Sequence, residues 1–315
     1  MNKHYDVMVV GELNIDIILN QLDQFPVMGK EVLSQQLNIT LGGSSAIFAS
    51  NISTLGSSVG FVGKVGLDNF GDHVISSLKS RGVDTQYIVR SDKEKTGVTV
   101  VLNFLEERAM VTYQGAMKSL TIHDVEEESF NRARHLHVSS IFLQTELLKD
   151  VVQLFKKAKD MGLTTSLDPQ WDPAEAWNID LKKLMKYVDV FMPNASELKA
   201  LTRTNDLKQA LKLVEQFENT VVIKDGINGA YLWNGTKLHH QNAFRNEYVV
   251  DSIGAGDSFN AGFIHQFLQK KSLEECLEYG ALIGAVNTCR HGGTGAFESL
   301  SIVKSIAQST FKYSF

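Results

Sequence analysis

Short apolar runs alternate with longer amphipathic stretches along this chain. Val7–Val10 and Val221–Ile223 are continuous apolar runs, which is typical of strands buried on both faces of a parallel sheet. The stretches between such runs carry apolar residues at helical spacing. Strands that alternate with helices predict a parallel sheet covered by helices on both faces. Because no fixed-period repeat and no Pro/Gly-rich linker interrupts the chain, we expect one α/β domain.

The same pattern gives approximate bounds for the elements. Strands are predicted at Tyr5–Val10, Val59–Gly63, His135–Val138, Leu163–Leu167, Val188–Met192 and Val221–Ile223, followed by a hairpin over 231–240 that turns at Asn234-Gly235. Helices are predicted at Ser44–Leu55, Asn69–Arg81, Leu147–Met161, Leu181–Tyr187, Ala195–Thr202, Leu207–Phe217, Gly256–Gln269 and Leu273–Cys289. The last two helices are expected to close the chain.

Two segments follow a different pattern from the rest. Apolar and polar residues alternate there with a period of two, which favours half-exposed strands; these are Ile15–Leu19, Val32–Ile39, Val98–Phe104 and Ala109–Tyr113, the last two joined by a polar connection at 105–108. We expect a small antiparallel sheet that stands off the main body as a lid. The predicted division is a lid of residues 13–40 and 96–114 and a core of residues 1–12, 41–95 and 115–315.

Composition excludes several classes of protein. Hydrophobic residues make up 43% and charged residues 21% of the chain, which is ordinary globular usage and excludes a disordered or collagen-like chain. The net charge is −5 without a basic stripe, so no nucleic-acid partner is expected. Cys276 and Cys289 are too few for a disulfide framework. With no signal-peptide pattern and no apolar run near the ~20 residues of a membrane span, we expect a soluble, cytoplasmic protein.

The segment with the clearest chemical meaning is the Gly254-Ala255-Gly256-Asp257 turn, which an amphipathic helix follows at once. Backbone N–H groups and the positive end of the helix dipole meet there and make an anion site. A carboxylate beside a bound phosphate can take a proton from an attacking hydroxyl. Asp257 is equally compatible with a favourable acid in the first turn of a helix. Other phosphate motifs are incomplete, since Gly63-Lys64-Val65 lacks both the upstream glycine and the hydroxyl residue of a P-loop.

Several motifs in order resemble one family. Residues 251–262, Asp-Ser-Ile-Gly-Ala-Gly-Asp-Ser-Phe-Asn-Ala-Gly, resemble the C-terminal signature of the PfkB, or ribokinase-like, carbohydrate kinases. Gly42-Gly43 and residues 55–71 resemble its N-terminal signature, and Pro193–Glu197 resembles its Asn-x-x-Glu motif. The likeness spans nearly the whole chain. It implies a ribokinase-like three-layer α/β fold with a central, mostly parallel sheet and a small β-sheet lid.

The resemblance also implies roles on the nucleotide side. Asp257 would be the catalytic base, and the N–H groups of Gly254, Ala255 and Gly256 would stabilise the transferring phosphoryl group. ATP and Mg²⁺ are the implied cofactors, with Asn194 and Glu197 organising water around the metal; their spacing also fits a helix cap with a capping-box glutamate. The nucleotide contacts would be Lys224, Gly226, Gly229 and Asn287. Asp251 and Ile253 match the loop in which family members bind a monovalent cation through backbone carbonyls, so K⁺ is a further candidate.

On the sugar side, the resemblance points to the first strand and the turn into the first helix. Asp16 accepts hydrogen bonds and Asn14 both donates and accepts, which suits paired sugar hydroxyls. The remaining residues assigned to the substrate are Gly42, Gly43, Ser44, Arg108 of the lid and, by a weaker match shared with Gln144, Glu146. Exposed lid strands imply a possible homodimer surface.

The chain departs from the family pattern at two places. Ile47 stands where the family usually carries Asn, and Asp168-Pro169-Gln170 is not followed by the Arg that accompanies keto-sugar acids. A carboxylated substrate would need that cation, so acid sugars are disfavoured. Trp171 and Trp177 suit either sugar stacking or a structural loop. The pairs His135/His137 and His239/His240 lack a third ligand at a recognisable spacing, so we interpret them as strand histidines.

The sequence therefore predicts an ATP-dependent kinase that phosphorylates a hydroxyl, expected to be primary, of a neutral sugar such as fructose or ribose. A nucleoside or sugar-phosphate kinase of the same family is the nearest alternative. A catalytically silent, sugar-binding sensor is the alternative from another class, and the intact Gly254–Asp257 segment argues against it. A nicotinamide oxidoreductase lacks its Gly-x-Gly-x-x-Gly fingerprint.

Overall fold

The protein, described by a computed structural model over residues 4–104 and 107–314, is built on two β-sheets. In chain order the strands are β1 (Tyr5–Val10), β2 (Asn14–Leu22), β3 (Ser34–Gly42), β4 (Val59–Gly66), β5 (Asp84–Ser91), β6 (Gly97–Phe104), β7 (Glu107–Tyr113), β8 (Ala133–Ser139), β9 (Thr164–Asp168), β10 (Val190–Phe191), β11 (Thr220–Lys224), β12 (Ala230–Trp233) and β13 (Leu238–Gln241). The large sheet has the order β13-β12-β11-β10-β9-β8-β1-β4-β5 and the small sheet the order β3-β2-β6-β7.

The large sheet is parallel from β5 to β11, and β12 and β13 are antiparallel additions at one edge. In chain order the α-helices are α1 (Ser44–Thr54), α2 (Asn69–Ser80), α3 (Glu127–Asn131), α4 (Thr145–Lys149), α5 (Val151–Asp160), α6 (Leu181–Leu184), α7 (Ala195–Thr202), α8 (Leu207–Val214), α9 (Ala255–Leu268), α10 (Leu273–Asn287) and α11 (Leu300–Phe311), the last three after the final strand. The mostly parallel sheet expected from the sequence is confirmed.

Strand β1 shows why the fold has three layers. Successive side chains of a strand point to opposite faces. Met8 and Val10 pack into the apolar core that holds α5, whereas Val7 and Val9 pack into the core that holds α1 and α9. All four of these residues are fully buried. A continuous apolar run is therefore what a strand between two helical layers requires.

Three features of the large layer differ from the predicted elements. The single helix expected at Leu147–Met161 is two helices, because Asp150 ends α4 and begins α5 in a non-helical conformation. Strand β5 was not predicted; it is an edge strand in which the apolar residues Tyr87–Val89 are flanked by polar residues on both sides. The chain closes on a third long helix, α11, of which only Val303 and Ala307 are buried.

The small sheet is mixed, so the expectation of a purely antiparallel sheet is wrong. β2 pairs with β3 and β6 with β7 in antiparallel fashion, but β2 and β6 are parallel neighbours. Between β2 and β6 the chain passes through β3, α1, β4, α2 and β5 of the main body, so no hairpin fixes their relative direction. Of the predicted connection at 105–108, residues 105 and 106 lie outside the described residues. Within the described ranges, none of the helices has the length and apolarity to cross a membrane.

Candidate functional site

Polar side chains from separate strands meet at the carboxyl edge of the large sheet. Asp168 ends β9, Asn194 follows β10 and Lys224 ends β11, while Glu12 follows β1. Three of these strands are direct neighbours in the sheet. Ligands of parallel α/β sheets bind outside the carboxyl ends of the strands, so this edge is the candidate active site.

The predicted anion loop lies at this edge, at the start of α9. Gly254 has a φ of 74°, in the left-handed region, and a Cβ there would meet the Cα of Gly293 at 2.6 Å. A glycine is therefore required for the turn. The N–H of Ala255 makes a long hydrogen bond of 3.3 Å to Ser252 O, and first-turn N–H groups have no partner within their own helix. The side chain of Lys224 passes within 3.8 Å of where a Cβ on Gly256 would lie, which adds positive charge to the loop.

Asp257 is buried in the first turn of α9. Burial, followed by the negative charge of Asp168, raises its pKa to about 7, and Lys224 and a hydrogen bond from Ser44 act in the opposite direction. Gln170 Nε2 donates to Asp257 Oδ1 at 3.0 Å. A carboxyl group with a pKa near 7 is suited to general base catalysis at neutral pH.

Asp168 organises a buried polar cluster next to Asp257. Its Oδ2 accepts hydrogen bonds from Lys224 Nζ at 2.5 Å, from Asn260 Nδ2 at 2.5 Å and from Gln170 Nε2 at 3.1 Å. Lys224 Nζ also donates to Asn260 Oδ1 at 3.3 Å. The ammonium group of Lys224 therefore lies at the centre of the site, held between Asp168 and the start of α9.

Asn194 and Glu197 form the capping box that their spacing suggests. Asn194 Oδ1 accepts from the Glu197 N–H at 2.8 Å, and the Asn194 N–H donates to Glu197 Oε2 at 2.8 Å. Burial, with the charge of Asp168 next, raises the pKa of Glu197 to about 8. Glu197 and Asp168 thus face each other as like charges.

The small sheet contributes Asn14 and Asp16, and Asp16 is near enough to Asp257 that, after burial, the charge of Asp257 raises the pKa of Asp16. Asn14 Nδ2 donates to Asp16 Oδ1 at 3.1 Å and to Thr99 Oγ1 at 2.9 Å. A Cβ on Gly42 would lie 2.1 Å from Asp16 Oδ1, and one on Gly43 would lie 2.6 Å from Asn14 Oδ1. These two glycines are therefore required by the close approach of the carboxylate and the amide.

Arg108 extends from the small sheet to the anion loop. Its Nη1 donates to Ser252 Oγ at 3.3 Å, two residues before Gly254. The guanidinium group and Lys224 thus approach the loop from the small sheet and from β11 respectively.

The turn that carries Gly226 and Gly229 borders an open groove. Both glycines have positive φ values, of 55° and 94°, and a Cβ on Gly229 would collide with Gln241 O at 2.0 Å. The groove has a volume of about 650 Å³ and is lined by Asp225, Ile227, Asn228, Tyr231, His240, Asn242, Ala243 and Arg245. It is open and polar enough to take a nucleoside.

Two predicted contacts lie apart from this cluster. Asn287 is fully buried under the anion loop, where its Nδ2 donates to Ile253 O at 2.6 Å. Glu146 forms an ion pair with Lys149 on the surface of α4 at 2.6 Å.

Ile47, the two tryptophans and the first histidine pair each make contacts with other residues of the fold. Ile47 packs against the loop, since a Cβ on Gly293 would lie 2.4 Å from its Cδ1. Trp171 and Trp177 contact each other edge to face at 5.0 Å. His135 and His137 are buried and both lie 2.7 Å from Ser166 Oγ.

Sequence reasoning gave no role to Glu12, Asn260 and Gln170. Glu12 is buried, accepts from Ser45 Oγ at 2.5 Å, and its pKa is raised to about 8, mainly by burial. Asn260 lies one helical turn after Asp257, on the same face of α9, and this spacing was the available signal. Gln170 has a φ of 58°, and nothing in its local sequence indicates that its amide joins two carboxylates.

A large, mostly parallel sheet whose carboxyl edge meets a second, smaller sheet is the architecture of the sugar-kinase class of phosphotransferases. The family model described as pfkB family carbohydrate kinase matches residues 5–300. The chain therefore belongs to the pfkB family of carbohydrate kinases, which are phosphotransferases with an alcohol group as acceptor.

Individual relatives agree with this assignment. The chain is 30% identical to a 2-dehydro-3-deoxygluconokinase of Bacillus subtilis (strain 168), covering 78% of this chain and 80% of that protein. It is 27% identical to a ribokinase of Haemophilus influenzae, covering 90% and 92%. It superimposes on Arabidopsis thaliana ribokinase complexed with ribose and ATP with a TM-score of 0.80 at 25% identity, covering 96% and 99%. The ribokinase-like fold is thereby confirmed.

Proposed function

We propose that this protein transfers the γ-phosphate of ATP to a hydroxyl group, expected to be primary, of a neutral sugar such as fructose or ribose. The observation that carries the proposal is the position of Asp257. This buried carboxylate lies in the first turn after the anion loop, its charge acts on Asp16 of the hydrogen-bonded pair Asn14 and Asp16, and its pKa is raised to about 7.

In this mechanism Asp257 accepts the proton of the sugar hydroxyl. The hydroxyl oxygen attacks the γ-phosphorus, and the bond from that phosphorus to the bridging oxygen of ADP breaks. The N–H groups of Gly254, Ala255 and Gly256 donate to the transferring phosphoryl group, and Lys224 and Arg108 offset its negative charge. Preorganised donors of this kind are the main contribution that a protein makes to phosphoryl transfer.

The nucleotide would lie along the groove beside Gly226 and Gly229, with its phosphates towards Lys224. Asp168 and Glu197 are two buried carboxyl groups, and after burial the charge of Asp168 raises the pKa of Glu197, so the donor set fits a divalent cation. Together with Asn194 they would hold Mg²⁺ through water, and Mg²⁺ supplies charge neutralisation to the phosphates when it is bound.

A neutral sugar is favoured by the charges around Asp16. Burial raises the pKa of Asp16 to about 7, and the charges of Asp257 and Asp251 act in the same direction. A phosphate or carboxylate on the substrate would meet these acidic groups, whereas hydroxyl groups can donate to them. We take residues 13–40 and 96–114 as a lid that covers the bound sugar and excludes water.

The test is ADP release with Mg-ATP over a panel of neutral sugars, nucleosides and sugar phosphates, with Asp257→Asn alongside. We expect turnover on one neutral sugar and a loss of ~10² or more in the variant. Asp92→Asn, at an exposed aspartate, is the matched control and should retain activity. Turnover only on a nucleoside or a sugar phosphate would show that the proposed substrate class is wrong. Full activity in Asp257→Asn would show that Asp257 is not the catalytic base.

A further inference from the structure

A chain of buried side-chain hydrogen bonds lies beneath the anion loop. Asn51 of α1, Ser258 of α9 and Asn287 of α10 are all fully buried. Asn51 Nδ2 donates to Ser258 Oγ and to Gly293 O, both at 2.9 Å. Ser258 Oγ lies 2.7 Å from Gly254 O and 3.0 Å from Asn287 Oδ1. Three helices are thus joined to the two loops that meet behind the phosphate side of the site.

The network ends on the backbone oxygen that the family resemblance assigns to a monovalent cation. Asn287 Nδ2 donates to Ile253 O at 2.6 Å. An amide hydrogen carries partial positive charge, and it is aimed at the same lone pairs that a K⁺ ion would need. One of the two lone pairs of this carbonyl is therefore taken by a side chain of this protein, and the partial positive charge of the donor opposes a cation beside it.

The other oxygens nearby are also engaged. Asp251 Oδ1 accepts from the Ile253 N–H and Asp251 Oδ2 from the Gly292 N–H, both at 2.9 Å. Gly254 O accepts the N–H of Ser258 at 2.9 Å in addition to its hydroxyl contact. Among the described buried side-chain atoms here, Asn51 Oδ1 is without a partner, and one oxygen cannot replace the ring of carbonyls that coordinates K⁺. These hydrogen bonds compete with a monovalent cation for the oxygens of Asp251, Ile253 and Gly254.

Peptide geometry links this network to the anion loop. In a trans peptide the C=O and the following N–H point in opposite directions. Holding Ile253 O inward therefore turns the Gly254 N–H outward, and holding Gly254 O inward does the same for the Ala255 N–H. These are two of the three donors that the proposed mechanism aims at the phosphoryl group.

We propose that the Asn51–Ser258–Asn287 network takes the place of a monovalent cation, so that nucleotide binding and turnover in this protein do not depend on K⁺. This inference rests on the proposed function only where sugar phosphorylation is measured. Melting temperature and ATP affinity report on the same loop without any sugar being phosphorylated.

The experiment compares the wild type and Asn287→Ala in KCl and in choline chloride of equal ionic strength. We expect the wild type to have the same melting temperature, ATP affinity by calorimetry and turnover in both salts. Asn287→Ala should lose about tenfold or more in ATP affinity in choline chloride, and K⁺ should recover part of this loss. Ser258→Ala, which removes only a hydroxyl, is the second variant if Asn287→Ala does not fold.

Asn219→Ala is the matched control. Its side-chain amide bridges Met185 O and Val188 O on another part of the sheet, at 2.8 Å and 2.5 Å, so its loss should lower stability equally in both salts. A wild type that K⁺ stabilises or activates would overturn the proposal, as would a loss in Asn287→Ala that K⁺ leaves unchanged. Salt-independent melting and ATP binding without turnover on any sugar would count against the proposed function alone.

Discussion

At the scale of single residues, Gln170 is the side chain that donates hydrogen bonds to two carboxylates of the site. Its Nε2 donates to Asp168 Oδ2 at 3.1 Å and to Asp257 Oδ1 at 3.0 Å. Hydrogen bonds to the ionised form of an acid lower its pKa. Gln170 therefore acts as a positioning residue that keeps Asp257 oriented and favours the basic form of its carboxylate.

We predict that Gln170→Leu lowers kcat/KM at pH 7 by roughly 10- to 10²-fold, since a hydrogen bond to a charged group contributes about 1.5–3 kcal/mol. The wild-type kcat/KM should rise with pH through about 7, where Asp257 loses its proton. In the variant this rise should move to higher pH, which a purely structural role would not cause. The control is Gln308→Leu, at an exposed residue of α11, and an unshifted pH profile in Gln170→Leu would contradict the assignment.

At the scale of elements, the face of the small sheet towards the site carries polar side chains beside the buried pair Ile18 and Val101, whereas the outer face carries an apolar row. Asn14, Asp16 and Asn20 of β2 are buried on the inner face. On the outer face, strand pairing aligns Ile17 with its neighbours in an apolar row across the four strands: Ile39, Ile17, Val100 and Val111. Ile39 is 48% exposed and Val111 is 67% exposed. Exposed apolar patches of this kind commonly mark an interaction surface.

We predict that a second copy of the chain covers this outer face. Light scattering coupled to size exclusion should give a mass about twice the 35.0 kDa of one chain. Val111→Glu should return the protein to the monomer, because it places a charge on the edge strand β7 within the patch that the second copy would bury. Leu67→Glu puts the same charge on an exposed leucine outside the small sheet and should remain dimeric. A monomeric wild type at micromolar concentration would rule the interface out.

At the scale of the whole molecule, the site concentrates buried carboxyl groups. Burial raises the pKa of Asp16 and Asp257 from 3.8 to about 7 and of Glu12 and Glu197 from 4.5 to about 8. At these four groups the folded protein therefore binds more protons than the unfolded chain between pH 4.5 and about 8. Stability from these groups is present at low pH and is lost as pH rises through the folded-state pKa values.

We predict that the free energy of unfolding falls between pH 6.5 and 8.5, with a slope of up to about 1.4 kcal/mol per pH unit for each carboxyl that is still protonated. This window avoids most of the opposing effect of His135 and His137, whose depressed pKa values favour unfolding only below pH 6.5. Urea titrations at several pH values measure the slope. Glu12→Gln should flatten it, and a stability that rises across the window would contradict the assignment.

Much of the fold and part of the site follow from local sequence. Apolar runs such as Val7–Val10 and Val221–Ile223 reveal buried strands, because a strand between two helical layers needs apolar residues on both faces. The Gly254–Asp257 turn can be predicted because a left-handed glycine at the start of a helix is a local feature. The edge strand β5 and the break at Asp150 have no such signal.

Tertiary structure alone decided what lies around these local features. Asp168 and Lys224 meet because the carboxyl ends of parallel strands share one edge, and Asn260 of α9 joins them through hydrogen bonds to both side chains. The alternation of polar and apolar residues in β2 predicted that its two faces differ. Only the packing of the small sheet beside the site determined that the face with Asn14 and Asp16 points towards the site. Asn287 could be assigned to the adenine from sequence, whereas the packing of α10 against α9 places its amide on Ile253 O. Local sequence patterns reflect interactions between residues that are close in sequence. The contacts named above join residues that are far apart in sequence and close only in the fold, so no local pattern predicts them.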